Sequence, residues 1–166
     1  KVIHTDDTPV KVQDRQLDRT RTGRFWVYLG DKTHPYTVFA YTPSRSRDGP
    51  WQFLRGWSGF LQADAFGGYD GIYAGEAGGR VTEVACWAHA RRRFYEARSS
   101  DATAGTHALA LIRLLYDVED EAQPLAASQR QNLRQEKSLP RLERFRAWLE
   151  SQQAARGGEV LPKSPM

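Results

Sequence analysis

A β-like run, Val81-Thr82-Glu83-Val84-Ala85, passes directly into Cys86-Trp87-Ala88-His89-Ala90-Arg91-Arg92-Arg93-Phe94, which reads as the opening of a helix. A strand that turns into a helix with no spacer commits the chain to an α/β arrangement. Upstream, the apolar segment Gly59-Phe60-Leu61-Gln62-Ala63 ends in a carboxylate, Asp64. A strand-end carboxylate, a Cys-x-x-His turn and three consecutive arginines form a set suited to a polyanion, because guanidinium donates to phosphate through two bonds at once.

The rest of the chain supplies the other layers. Residues 1–12 carry β-branched Val2, Ile3, Thr5, Val10 and Val12, a strand expected to break near Pro9. Arg24–Leu29 and Tyr36–Tyr41 read as paired strands joined around Gly30-Asp31-Lys32, with Trp26, Tyr28 and Tyr41 expected in the core. Pro43–Pro50 reads as a loop and Trp51–Trp57 as a short helix, followed by strands at Phe60–Ala63 and Val81–Ala85. Beyond Cys86 the pattern is helical: Ala88–Arg98, then His107–Gln123 with Leu111, Ile112, Leu115, Val118 and Ala122 on one stripe. A polar helix over Ser128–Glu136, with Ser128 and Gln131 at capping-box spacing, precedes a last helix over Leu139–Arg156, capped by Ser138 and closed by Gly157-Gly158.

Bulk properties bound the function. The 166 residues suit one domain, with or without an insertion, and five Trp, seven Tyr and seven Phe can fill a core. The net charge of +4 is a weak pointer to nucleic acid, but its distribution is uneven. Arg15, Arg19, Arg21 and Arg24 cluster before one strand and Arg91, Arg92 and Arg93 after another. A single cysteine excludes an internal disulfide and a multi-cysteine zinc site. No membrane-spanning run or signal-peptide core is visible, so a reducing cytoplasmic setting is expected. Met166 is the only methionine and is the last residue, so the chain is expected to be a piece of a longer protein.

Several separate blocks resemble the insertion-sequence 66 family of DDE-type transposases. They are Asp6-Asp7-Thr8-Pro9 against the family's Asp-Glu-Thr-Pro, Leu61 to Tyr69 around Asp64, and the Cys-Trp-Ala-His-Ala-Arg-Arg run at Cys86. The resemblance extends from Asp6 through Pro165. It implies a ribonuclease-H-like mixed sheet with an α-helical insertion after the fifth strand. The implied division is a catalytic core over 1–98, a helical insertion over 99–156 and a connector over 157–166. The implied reaction is metal-dependent cleavage of DNA at element ends, followed by strand transfer.

The same resemblance makes Asp6 and Asp64 the metal-binding pair, for two Mg²⁺ ions that Mn²⁺ can replace; hard cations take carboxylate oxygens. Asp7 keeps the charge of the family's glutamate, and a regular strand sends it to the face opposite Asp6, in a solvent-facing or supporting role. For the third acid, Glu96, Glu119 and Glu121 are the candidates within the chain. Family members carry it in an Asn-Asn-x-x-Glu segment following the stretch that here reads Leu161-Pro162-Lys163-Ser164-Pro165, so it is expected beyond Met166, with Glu119 the alternative. His89, Arg91, Arg92 and Arg93 are the expected DNA contacts. The three arginines point in different directions on a helix, so one is expected to pair with an acid such as Glu96. Cys86 is expected to pack, and a nucleophilic or zinc role for Cys86 and His89 finds no further ligands at suitable spacing.

The partners implied are element-end and target DNA and further copies of the full-length protein, in a bacterial cytoplasm at the nucleoid. The alternative is a catalytically inactive transposase remnant that keeps DNA or subunit binding.

Overall fold

The computed structural model describes residues 1–13 and 19–156. Arg15, Gly157-Gly158 and the 157–166 connector therefore lie outside the described residues. The chain forms two compact units, residues 1–86 and 87–166.

The first unit is a five-stranded mixed sheet in the order β3-β2-β1-β4-β5. Its strands are β1 (Val2–Gln13), β2 (Thr20–Gly30), β3 (Thr37–Thr42), β4 (Gly59–Ala63) and β5 (Val81–Ala85). The first three run antiparallel, while β4 is parallel to β1 and β5 parallel to β4. Between β3 and β5 lie α1 (Asp48–Leu54), a 3-10 turn over Gly67–Tyr69 and α2 (Asp70–Tyr73).

β1 does not break at Pro9. Its pairing with β2 runs through Pro9 to Gln13, whereas its pairing with β4 covers only Val2 to His4. Pro9 thus sits where β1 has outgrown its β4 neighbour, a position in which a missing N–H is tolerated. The start of the strand is tied down by Asp31, which accepts the Val2 N–H at 2.8 Å and holds Thr33 and His34 in the following turn.

The core lies on one face of the sheet. Trp26, Tyr28, Leu61, Ala63 and Val81 pack there against Leu54 of α1, Tyr69 of the 3-10 turn and Ile72 of α2. Burying side chains of this size is the main favourable term for such a unit, about 1.5–3 kcal/mol each for the larger aliphatic groups. Tyr41, expected in this core, is instead exposed on the edge strand, where it meets Phe25 edge-on at 5.8 Å. Phe25, Leu29, Phe39 and Phe60 are likewise exposed. The backbone requires glycine at Gly79 and Gly56 among other positions. A side chain at Gly79 would collide with the Trp57 carbonyl, and Gly56 adopts φ +71°, which follows α1 and turns the chain toward β4.

The second unit is helical: α3 (Trp87–Ala97), α4 (Ala102–Ala122), α5 (Ala127–Leu133) and α6 (Leu139–Arg156). Asp101 caps α4, its carboxylate accepting the Ala104 N–H at 2.8 Å. The expected stripe on α4 is buried at Leu111, Ile112, Leu115, Val118 and Ala122. Ala108, Leu111 and Ile112 form a cluster with Phe145 of α6, with Phe94 and Trp148 packed against it.

The two last helices are not separated by a cap at Ser138. A π-helical segment, Arg134–Ser138, joins α5 to α6. Pro140 explains it: the ring has no N–H to donate and crowds the carbonyl four residues back, so the preceding turn widens. The start of α5 also differs from the expected Ser128 box, since the side chain of Gln129 accepts from the Ala126 N–H at 3.1 Å. No helix among the described residues is long and apolar enough to cross a membrane.

Candidate functional site

Strand pairing decides what surrounds Asp64. The parallel register sets Val2, Ile3 and His4 beside Phe60, Leu61 and Gln62, so the acidic middle of β1 runs past the residue that follows β4. Two adjacent positions on β1, Asp6 and Asp7, then point to opposite faces.

Asp7 faces inward. Its side chain is only 2% exposed and lies on the side of Trp26, its cross-strand neighbour on β2. A buried carboxylate needs compensation, and two arginines supply it. Arg24 donates from Nη1 to one Asp7 oxygen at 2.9 Å, and Arg45 donates from Nε to the other at 2.8 Å. The solvent-facing half of the expectation for Asp7 is therefore corrected, because α1 and α2 cover this face of the sheet.

Arg45 reaches further. Its Nη2 donates to Asp64 at 2.9 Å, so one guanidinium spans both carboxylates. Asp64 also accepts the Phe66 N–H at 3.2 Å, and the Arg45 guanidinium lies 4.2 Å from the centre of the Phe66 ring. Partial burial pulls the Arg45 pKa down, but the bonds it donates to Asp7 and Asp64 outweigh it and leave it raised. The loop carrying Arg45 is itself tethered: the Trp26 indole donates to Thr42 at 2.7 Å, and the Thr42 hydroxyl donates to the Ser44 carbonyl at 2.7 Å.

Asp6 is on the other face, exposed, with Oδ1 accepting the Asp7 N–H at 2.8 Å. It borders a shallow hollow of about 210 Å³ shared with Phe25, Val27 and Phe39. Among the described residues, no three acidic, histidine or cysteine side chains converge as a ready metal cage. The donor chemistry at Asp64 nevertheless suits a cation, since a positively charged group already lies between it and Asp7.

The remaining expected residues belong to the helical unit. His89 is half-buried on α3, and Arg91, Arg92 and Arg93 are exposed there. Arg93 pairs with Glu96 at 3.5 Å, the division of labour that helical spacing implied. Glu119 on α4 receives two bonds from Arg134, at 2.8 and 2.6 Å, which hold its carboxyl below the usual range. Glu121 is similarly engaged by Lys137 at 2.6 Å.

Arg45 was not singled out by the sequence. It lies in a loop whose composition reads as ordinary solvated turn. The usable signal was indirect: an inward-facing aspartate on a central strand requires a cationic partner from somewhere.

These features define an α/β protein with paired acidic groups at one end of a mixed sheet. A family model described as "Transposase IS66 family" matches residues 1–166, and the chain belongs to that family. Among curated proteins it is similar to "Uncharacterized protein y4hP" of Sinorhizobium fredii (strain NBRC 101917 / NGR234), at 30% identity over 96% of this chain and 32% of that protein. It is also similar to "Uncharacterized protein y4qI" of the same strain, at 29% identity over 82% of this chain and 27% of that protein. The chain thus spans about a third of the length of the curated relatives it matches. No solved structure matches it.

Proposed function

We propose that this chain is the central catalytic region of a DDE-type transposase, with a ribonuclease-H-like core over residues 1–98 and a helical insertion over 99–156. The reaction is hydrolysis of DNA phosphodiester bonds at element ends, followed by attack of the freed 3′-hydroxyl on target DNA. The observation that carries the reading is the parallel pairing of β1 with β4, whose register sets the Asp6–Asp7 segment of β1 level with Asp64, in a member of a transposase family. The strand order β3-β2-β1-β4-β5 supports the fold assignment.

In this reading Asp6 and Asp64 hold Mg²⁺ or Mn²⁺, which when bound activates the attacking oxygen and neutralises the leaving one. Asp64 is oriented by the Phe66 N–H, and Arg45 neutralises it when no ion is bound. Asp7, fixed by Arg24 and Arg45, sets the position of the Arg45 guanidinium against Asp64 and does not bind the ion. His89, Arg91 and Arg92 contact DNA. The protein's contribution is positioning and charge neutralisation. The work takes place on bacterial DNA in the cytoplasm, by an oligomer of the intact protein.

The third acid is assigned to a segment outside residues 1–166. The engagement of Glu119 by Arg134 favours a second reading for the chain alone, in which it binds DNA or partner subunits without cutting.

The test is divalent-metal-dependent nicking of a cognate element end by the intact protein. Asp6→Asn and Asp64→Asn are each expected to lower cleavage by about a thousandfold while leaving DNA binding in place. Retained cleavage in either variant would remove that residue from the site.

A further inference from the structure

The helical unit contains a groove of about 680 Å³ between α3 and α4. Each helix contributes one face at helical spacing. Ala88, Arg91, Arg92 and Tyr95 come from α3, and Leu109, Arg113, Tyr116 and Asp120 from α4. The arginine triplet is thereby divided. Arg91 and Arg92 enter the groove, while Arg93 turns away to Glu96.

The charges in the groove are unbalanced. Arg113 is partly offset by Asp117 at 2.7 Å and Asp120 at 3.9 Å. Arg91 and Arg92 form no ion pair with a carboxylate among the described residues. Both line the groove, where Tyr95 and Tyr116 also stand exposed. The Arg98 guanidinium sits 3.9 Å from the centre of the Tyr95 ring and covers one of its faces.

Unpaired arginines alone would fit any polyanion. Arginines flanked by accessible aromatic rings fit one with flat apolar faces between its charges, because phosphates pair with guanidinium while unpaired bases stack on the rings. In a duplex the base faces are covered by their neighbours, so the tyrosines would have nothing to stack on.

We infer that the α3–α4 groove binds a single-stranded DNA segment, with Arg91, Arg92 and Arg113 on the backbone and Tyr95 and Tyr116 on the bases. The inference rests on the reading of the protein as DNA-acting, and it adds the strandedness of the ligand and the side chains that select it. Arg93, although adjacent in sequence, is not part of this site.

Fluorescence anisotropy of the intact protein with a labelled twelve-nucleotide oligothymidylate and with a labelled duplex of equal length tests it. Tyr95→Leu and Tyr116→Leu are expected to weaken single-strand binding by about fivefold or more each and to leave duplex binding unchanged. Arg91→Ala and Arg92→Ala should each flatten the salt dependence of single-strand binding by about 0.7 in log–log slope. Arg93→Ala should match the wild type in both assays, and circular dichroism verifies that the variants keep their helices. Equal losses for Arg93→Ala and Arg92→Ala, or tyrosine variants that bind oligothymidylate normally, would overturn the groove while duplex binding persists. Wild-type protein that binds neither probe would overturn the groove and the DNA-acting reading together.

Discussion

Arg45 donates to Asp64 at 2.9 Å while the same guanidinium holds the buried Asp7 at 2.8 Å, so the strand-end carboxylate already has a cation made of protein. A divalent ion approaching Asp64 meets this charge at contact distance. Arg45→Ala is expected to tighten Mn²⁺ binding by about tenfold, which isothermal titration calorimetry reads without any turnover. Equal or weaker binding in the variant would mean that Arg45 orders Asp64 for the ion and does not compete with it.

The two neighbouring aspartates of β1 should separate stability from chemistry. Asp7→Asn leaves Arg24 and Arg45 without their shared buried counter-ion and is expected to cost about 3 kcal/mol, read as a lowered urea midpoint. Asp6→Asn, at an exposed carboxylate, should cost less than Asp7→Asn. A reversed order would place the structural carboxylate at Asp6.

Alkaline pH should unfold the first unit. Burial pushes the phenol of Tyr73 up to about 12, with Glu83 adding to it, and burial raises Tyr28 and Tyr69 as well. An unfolded tyrosine ionises near 10, so between about pH 10 and 12 the unfolded state loses protons that the folded state keeps. Stability is therefore complete below about pH 10 and falls as pH rises through that window. A step in phenolate absorbance that coincides with loss of far-ultraviolet signal would bear this out; full phenolate absorbance of all seven tyrosines with the fold intact would contradict it.

Glu119 provides a contrast at the acid side. Its pKa is lowered, first by its bond from Arg134, so its contribution is present above the ordinary glutamate range and is lost as pH falls through the folded value. The pair is half exposed, and Glu119→Gln should cost less than about 1 kcal/mol. Mn²⁺ titrations of Glu119→Gln and wild type are expected to superimpose. A weakened affinity in the variant would return Glu119 to the candidate acids.

The elements that could be read from the chain are those whose signals are local. Val81–Ala85 and the helix after Cys86 follow from alternation giving way to helical spacing, and the α4 stripe from its aliphatic residues. Tyr41 was misplaced because an aromatic residue in a strand looks the same on an edge as at the centre; only the order of strands shows that β3 has one neighbour. Pro9 looked like a break because its tolerance depends on where β4 stops. The Ser138 cap was plausible by residue type, but Pro140 and the packing of α6 draw the two helices into one run through a π segment.

By itself the sequence determined the residue types and their spacing: carboxylates at the end of one apolar strand and within another, three arginines opening a helix, and family blocks in order. It could not determine which of Asp6 and Asp7 faces inward. Alternation makes them opposite, but which side is the inside depends on the face that α1 and α2 cover, and a shift of one residue would exchange them. Nor could it bring Arg45 across from its loop, or divide Arg91 and Arg92 from Arg93. Those relationships arise between segments distant in the chain, and only tertiary packing makes them neighbours.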